Sequence, residues 1–322
     1  MHLIKKYWFL IGLLLLFAIT IGDTQGTVSD IGKWLKIRRG PDTAIFLIFI
    51  FSGMMLNAGQ IKSGMSDITG ILVALGVIFI AAPVIGACFA IMPLDTGIRI
   101  GLFLVAVMPT TLSSGVVMTG AAGGNMAHAL AITIVSNGLS ILTIPLTLSL
   151  LLEQVDGGTA VSIDKLAIMT KLGFLVLVPL CLGLGIRFYT NVCSEKFESE
   201  LQIVNQCLIL IIVWMALSQT REAIIDGKEM IGSILFLAFA FHAALLACAA
   251  LFIRLFKLKR GRRESVLFMG AQKTLTLSII LQVSLFPQHG LALGFCVIHH
   301  IVHLMMDGYL VQKMRNPVFE GE

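Results

Sequence analysis

Ten stretches of this chain are long and apolar enough to cross a lipid bilayer, and that succession leaves little choice of fold. A spanning helix needs about 20 mostly apolar residues. The stretches 7–22, 43–60, 68–92, 98–122, 126–152, 166–189, 201–220, 230–256, 265–286 and 289–312 supply them. Composition agrees: 57% of the 322 residues are hydrophobic and 13% charged, roughly half the charged fraction of a soluble domain. The reading is an all-α integral membrane protein.

Five stretches precede the polar linker 153–165 and five follow it, the count an internal repeat would give. Halves with an odd number of spans must be inverted relative to each other. The first stretch follows Lys5-Lys6, as a signal peptide would, but Ala18-Ile19-Thr20-Ile21 lacks a small-x-small cleavage pattern. The loop after span eight carries Arg254, Lys257, Lys259, Arg260, Arg262 and Arg263. By the positive-inside rule both termini are then cytoplasmic, in a plasma or inner membrane. Lys33, Lys36, Arg38 and Arg39 pull the other way, and with Trp34 their segment suits a short interfacial helix. The net charge of +5 comes mainly from loops and implies no nucleic acid. The six cysteines are scattered without CxxC or ligand spacing, so neither a disulfide framework nor a metal is expected.

Two polar knots interrupt the apolar pattern. The first runs Met108-Pro109-Thr110-Thr111-Leu112-Ser113-Ser114-Gly115-Val116-Val117-Met118-Thr119, and the second Gly270-Ala271-Gln272-Lys273-Thr274-Leu275-Thr276. Each falls in the fourth span of its half. Irregular backbone at membrane depth is tolerated only where protein buries it or it lines a wet cavity, and secondary transporters build midplane binding sites that way. Pro109 removes a backbone donor and frees a carbonyl. Thr110, Thr111, Ser113, Ser114 and Thr119 add hydroxyl oxygens, and Asn125, Thr133 and Asn137 stand close enough in sequence to complete an oxygen cage. Such neutral oxygens suit an alkali cation. The alternative is that small and hydroxyl residues merely let helices pack closely.

Lys273 lies eight residues inside span nine, about 12 Å along a helix. An intramembrane lysine is a functional hypothesis by default. Three roles fit: holding an anionic substrate, carrying a proton, or standing in for a coupling cation. A structural ion pair is the fourth, with Asp307 and Glu264 as the candidate acids. On span ten His299, His303 and Asp307 recur at i, i+4 and i+8 and share one face. They could bridge helices or relay protons, and a metal is the weakest reading. His128 and His242 stand alone and read as packed core residues. No Walker loop, GxSxG or HExxH is present, so the chain is not read as an enzyme, and any transport must be gradient-driven.

The runs Phe51-Ser52-Gly53, Met108-Pro109 through Ser113-Ser114-Gly115-Val116, Thr119 and Gly123-Gly124-Asn125, and Phe268 through Leu277 resemble the bile acid:sodium symporter family, in its sodium/bile acid cotransporter 7-like branch. The resemblance implies ten transmembrane helices in two inverted five-helix repeats. Helices 1, 2, 6 and 7 (1–62 and 166–228) would form a panel domain. Helices 3–5 and 8–10 (63–152 and 229–313) would form a core in which broken helices four and nine cross. Sodium sites would fall on Ser113, Ser114, Thr133 and Gln272, with Thr119 nearby, and the substrate crevice between core and panel. Better-known symporters carry a glutamate where this chain has Phe268, and they lack Lys273.

The expectation is a secondary active carrier of a small organic anion, working by alternating access and coupled to Na+ or H+, with no other cofactor. Lys273, Thr110, Thr111, Thr274 and Asn125 would meet the substrate. A non-transporting membrane regulator of calcium homeostasis with the same fold is the alternative.

Overall fold

The computed structural model describes residues 2–56, 58–111, 114–153, 164–190 and 195–315, and among them regular structure is helical throughout. The first half contains α1 (His2–Gly22), α2 (Thr27–Ile37), α3 (Gly40–Met55), α4 (Ala58–Gly64), α5 (Ile68–Gly76), α6 (Ala82–Phe89), α7 (Thr96–Ala106), α8 (Ser114–Ala121) and α9 (Met126–Leu152). The second contains α10 (Lys165–Leu172), α11 (Val178–Thr190), α12 (Glu195–Asp226), α13 (Ile231–Leu255), α14 (Arg262–Ala271), α15 (Leu275–Leu285) and α16 (Gly290–Arg315). Among the described residues seven helical segments are long and apolar enough to cross a membrane, eight if the bent pair α1–α2 counts as one. The protein is an integral membrane protein. The expected stretches 43–60 and 98–122 appear as α3 and as the pair α7 and α8, which a break separates. Ser113 and most of the linker lie outside the described residues.

Local chemistry explains the irregularities. Asp23 accepts hydrogen bonds from the backbone of Gly26 and Ser29 and from the Ser29 hydroxyl. Gly26 takes a φ of +79°, which glycine adopts without steric cost. The chain therefore turns 108° between α1 and α2. The segment around Trp34, expected as a short helix, is the separate helix α2. Two π turns, Val77–Ala81 and Gly173–Leu177, join α5 to α6 and α10 to α11. A proline follows each turn two residues later, Pro83 and Pro179. Proline offers no N–H, so the regular bonding pattern slips there into i→i+5.

The α14–α15 segment is the most enclosed. Of its apolar window 89% is buried, against 39–61% for the other six long segments. Protein, not lipid, therefore surrounds it. Fully buried Phe103, Phe241, Leu277 and Phe295 fill the space among α7, α13, α15 and α16. On the other side α3 packs on α11 and α12, and α1 on α12. Gly53 and Gly183 bring the backbones of α3 and α11 into contact: a Cβ on Gly183 would lie 2.0 Å from the Ile50 carbonyl. Small residues permit that approach where no hydrophobic force separates helix from lipid.

Candidate functional site

Both knots are breaks in helices, and the breaks meet. α7 stops at Ala106 and α8 starts at Ser114; α14 stops at Ala271 and α15 starts at Leu275. The amide of Thr274 donates to the Pro109 carbonyl across the junction (3.0 Å). Each break leaves a C-terminal end with free carbonyls and an N-terminal end with free amides.

Of the hydroxyl oxygens in the first knot, those of Thr111 and Ser114 meet the Gln272 side chain. Thr111 Oγ1 donates to Gln272 Oε1 (2.8 Å), and Ser114 Oγ lies 2.9 Å from Thr111 Oγ1 and 3.0 Å from Gln272 Oε1. Thr133 Oγ1 reaches the carbonyls of Ala129 (2.9 Å) and Thr111 (3.4 Å). Asn137 Nδ2 donates to the carbonyls of Thr133 and Thr110. Thr119 is turned away, donating within its own helix to Gly115. Thr110 joins through its backbone, and its buried hydroxyl has no partner among the described residues. Asn125 is elsewhere: its side chain caps α9 through the His128 amide, and its own amide donates to Gly261. The structure thus removes Asn125 from the crossing, because an exposed N-cap cannot also face a buried cage.

Lys273 is the sharper correction. Only 2% of it is exposed, and Nζ donates to the backbone carbonyls of Ile78 (2.9 Å), Met108 (2.9 Å) and Ala106 (3.3 Å). An ammonium has three protons, and all three are taken. Lys273 has no free donor to offer an anion, and neither candidate acid is its partner. Glu264 accepts from the Gly261 amide and pairs with Arg263. Asp307 accepts from Gln272 Nε2 on one oxygen (2.7 Å) and from His242 Nε2 on the other (2.9 Å).

That placement of Asp307 matters electrostatically. Phe268 leaves the crossing without the carboxylate that the resemblance led one to look for, and α16 brings another to the same glutamine. The His242 ring also sits 5.8 Å from His299 and 5.5 Å from His303. The histidine stripe of α16 is therefore completed by a residue of α13 that looked solitary in the sequence. Both ring nitrogens of His303 lack partners among the described residues. Among the described residues no group of three or more His, Cys, Asp or Glu could hold a metal ion.

A cavity of about 60 Å³ lies where the crossing faces α3 and α12. Thr111, Ser114, Thr274 and Thr276 line it from the broken helices, and Ser52 and Asn205 from the facing ones. Asn205 Nδ2 donates to Ser52 Oγ (3.2 Å), while its Oδ1 is buried and unpaired among the described residues. Gln206 and His300 complete the polar lining. Sequence reasoning missed Ser52, Asn205 and Gln206; two adjacent amides inside span 201–220 were the signal available. A larger groove of about 890 Å³ opens between the start of α3 and α10, beside Arg39, Asp42 and Lys171, away from the crossing.

The sequence pattern of the SBF-like CPA transporter family matches residues 7–316. The chain belongs to that family. Among curated proteins it is similar to the probable sodium/metabolite cotransporter BASS4, chloroplastic, of Arabidopsis thaliana, at 30% identity over 283 residues. The match covers 82% of this chain and 63% of that protein. It is also similar to sodium/bile acid cotransporter 7-B of Xenopus laevis, 26% identical over 226 residues, 67% of this chain and 63% of the relative. An uncharacterised protein of Pseudomonas aeruginosa is 26% identical over 303 residues, covering 90% and 86% of the two chains. The chain thus spans less than two thirds of the first two relatives. The family's description and the names of these two relatives are those of transporters, not of enzymes.

Proposed function

We propose that the protein is a secondary active transporter that carries a small organic anion by alternating access, driven by a Na+ or H+ gradient. In this reading α1, α3, α10–α11 and α12 are a panel (1–62 and 166–228). The remaining spans form a core (63–152 and 229–313), giving ten spans in two inverted five-helix repeats. The protein would sit in the cytoplasmic membrane with both termini inside.

One observation carries the reading: the N-terminal ends of α8 and α15 both border the polar cavity at the crossing, with Thr111, Ser114, Thr274 and Thr276 on its wall. The positive dipole ends of the two helices favour negative charge there. The anion would therefore be held by Thr111, Thr274 and these helix ends, with Ser52, Asn205 and Gln206 opposite. The mobile cation would be held by Ser113, Ser114, Thr133 and Gln272, with Asp307 supplying charge. The relatives' names favour Na+; the buried His242–Asp307 pair, with His299 and His303 behind it, is what favours H+.

Purified protein in liposomes tests this. A series of labelled carboxylates and sulfonates is offered with an inward Na+ gradient, an inward H+ gradient, or neither. Saturable uptake under one gradient is expected, and Asn205→Phe, which fills the cavity, should abolish it without lowering the melting temperature. Absence of gradient-driven uptake across the series, or uptake indifferent to the plug, would refute the carrier.

A further inference from the structure

Two of the three carbonyls around Lys273, those of Ile78 and Ala106, face a proline where a backbone donor would stand. In the π turn the amide of Ala82 donates to the Val77 carbonyl. The next donor in the i→i+5 pattern, for Ile78, would come from residue 83. That residue is Pro83, which has no N–H. The Ala106 carbonyl ends α7, and the residue that could close a tight last turn onto it is Pro109, again without a donor. Met108 follows in the break itself. Two prolines on two spans therefore create a nest of bare carbonyls at the negative end of a half-helix. Unwound carbonyls and half-helix C-terminal ends are how discontinuous membrane helices coordinate cations.

We propose that the Lys273 ammonium is the resident occupant of a monovalent-cation site formed by the Ile78, Ala106 and Met108 carbonyls. One positive charge is thereby tethered to the protein and moves with no gradient. The reading explains why a lysine can lie buried in the most enclosed span with all its partners neutral. It also divides labour at the crossing. Helix C-terminal ends hold the fixed charge, the adjacent Gln272 cluster is left for a mobile one, and the helix N-terminal ends face the cavity. The inference extends the carrier reading but does not need it, because it concerns occupancy and not flux.

The test is thermal unfolding of the purified full chain in chloride salts of Na+, Li+, K+, methylammonium and N-methylglucamine. Lys273→Ala empties the site, and methylammonium is the severed tip of the side chain. The variant is expected to melt low in N-methylglucamine, an ion too large to enter. It should regain on the order of 5 °C, saturably, in methylammonium or a small alkali ion. Wild type sets the baseline for any response at the Gln272 cluster. Lys273→Met fills the channel without charge and should show no response beyond wild type. The proposal is overturned if Lys273→Ala responds no more than wild type, if Lys273→Met responds equally, or if N-methylglucamine restores as much as methylammonium. Failure to recover folded Lys273→Ala even in methylammonium also overturns it. A protein that shows rescue but transports nothing would leave this inference standing and remove the carrier.

Discussion

Asp307 offers the most exacting perturbation, because it makes two bonds that a shape-conserving substitution can keep and an apolar one cannot. Its oxygens accept from Gln272 Nε2 at 2.7 Å and His242 Nε2 at 2.9 Å, and all three side chains are fully buried. Polar pairs inside membrane bundles average about 0.6 kcal/mol and reach about 1.7. Losing both bonds in Asp307→Leu should therefore cost about 1–3 kcal/mol, a drop of about 2–6 °C in melting temperature. Asp307→Asn retains an oxygen for Gln272 and presents its amide to the His242 ring, so its cost should stay below about 1 kcal/mol. Charge behaves differently, since both variants remove the carboxylate facing the oxygen cluster. Uptake by Asp307→Asn should lose its dependence on the cation gradient while the protein stays folded. Melting curves and gradient-driven uptake on the same preparations read the two effects separately. A leucine variant as stable as wild type and still gradient-coupled would refute the reasoning, as would an asparagine variant destabilised as much as the leucine one.

Further expectations follow from other contacts. Gly183→Ala sets a methyl against the Ile50 carbonyl and should cost about 1–3 kcal/mol as α3 and α11 are forced apart; unchanged melting would show that the contact has slack. Gln272→Leu removes the acceptor shared by Thr111 and Ser114 and the donor to Asp307. It should abolish cation-dependent uptake and not merely raise KM, which initial rates at varied cation concentration would resolve. Hydrogen bonds from the Ser29 backbone hold the Asp23 carboxyl below its usual 3.8. A depressed carboxylate contributes stability above its unfolded pKa and loses it as pH falls through the folded one. The melting advantage of wild type over Asp23→Ala should therefore be present at neutral pH and fade below about pH 3.8; a gap independent of pH would count against it.

The membrane class, the two interruptions and the hydroxyl-rich composition of the first knot were legible in the sequence, because they depend on local properties. Apolar length decides what can enter hydrocarbon, and proline breaks a helix wherever it falls. Even the bare carbonyl of Ile78 traces to a proline five residues along, although nothing local marked it as a ligand. Partner choice was not legible. His242 read as a solitary core residue and Asn125 as part of the cage, while Lys273 stayed open between holding an anion, carrying a proton and standing in for a cation. Each assignment depended on which helices lie side by side, a fact that spacing along one helix does not contain. Tertiary packing set α13 against α16, gave Asp307 to Gln272 and His242, and closed three carbonyls on one ammonium. The physical reason is that, in a bundle surrounded by lipid, the cost of an unpaired polar group falls on whichever neighbour can satisfy it. That neighbour is commonly more than a hundred residues away in the chain: Gln272 meets Ser114 across 158 residues, and Lys273 meets Ile78 across 195.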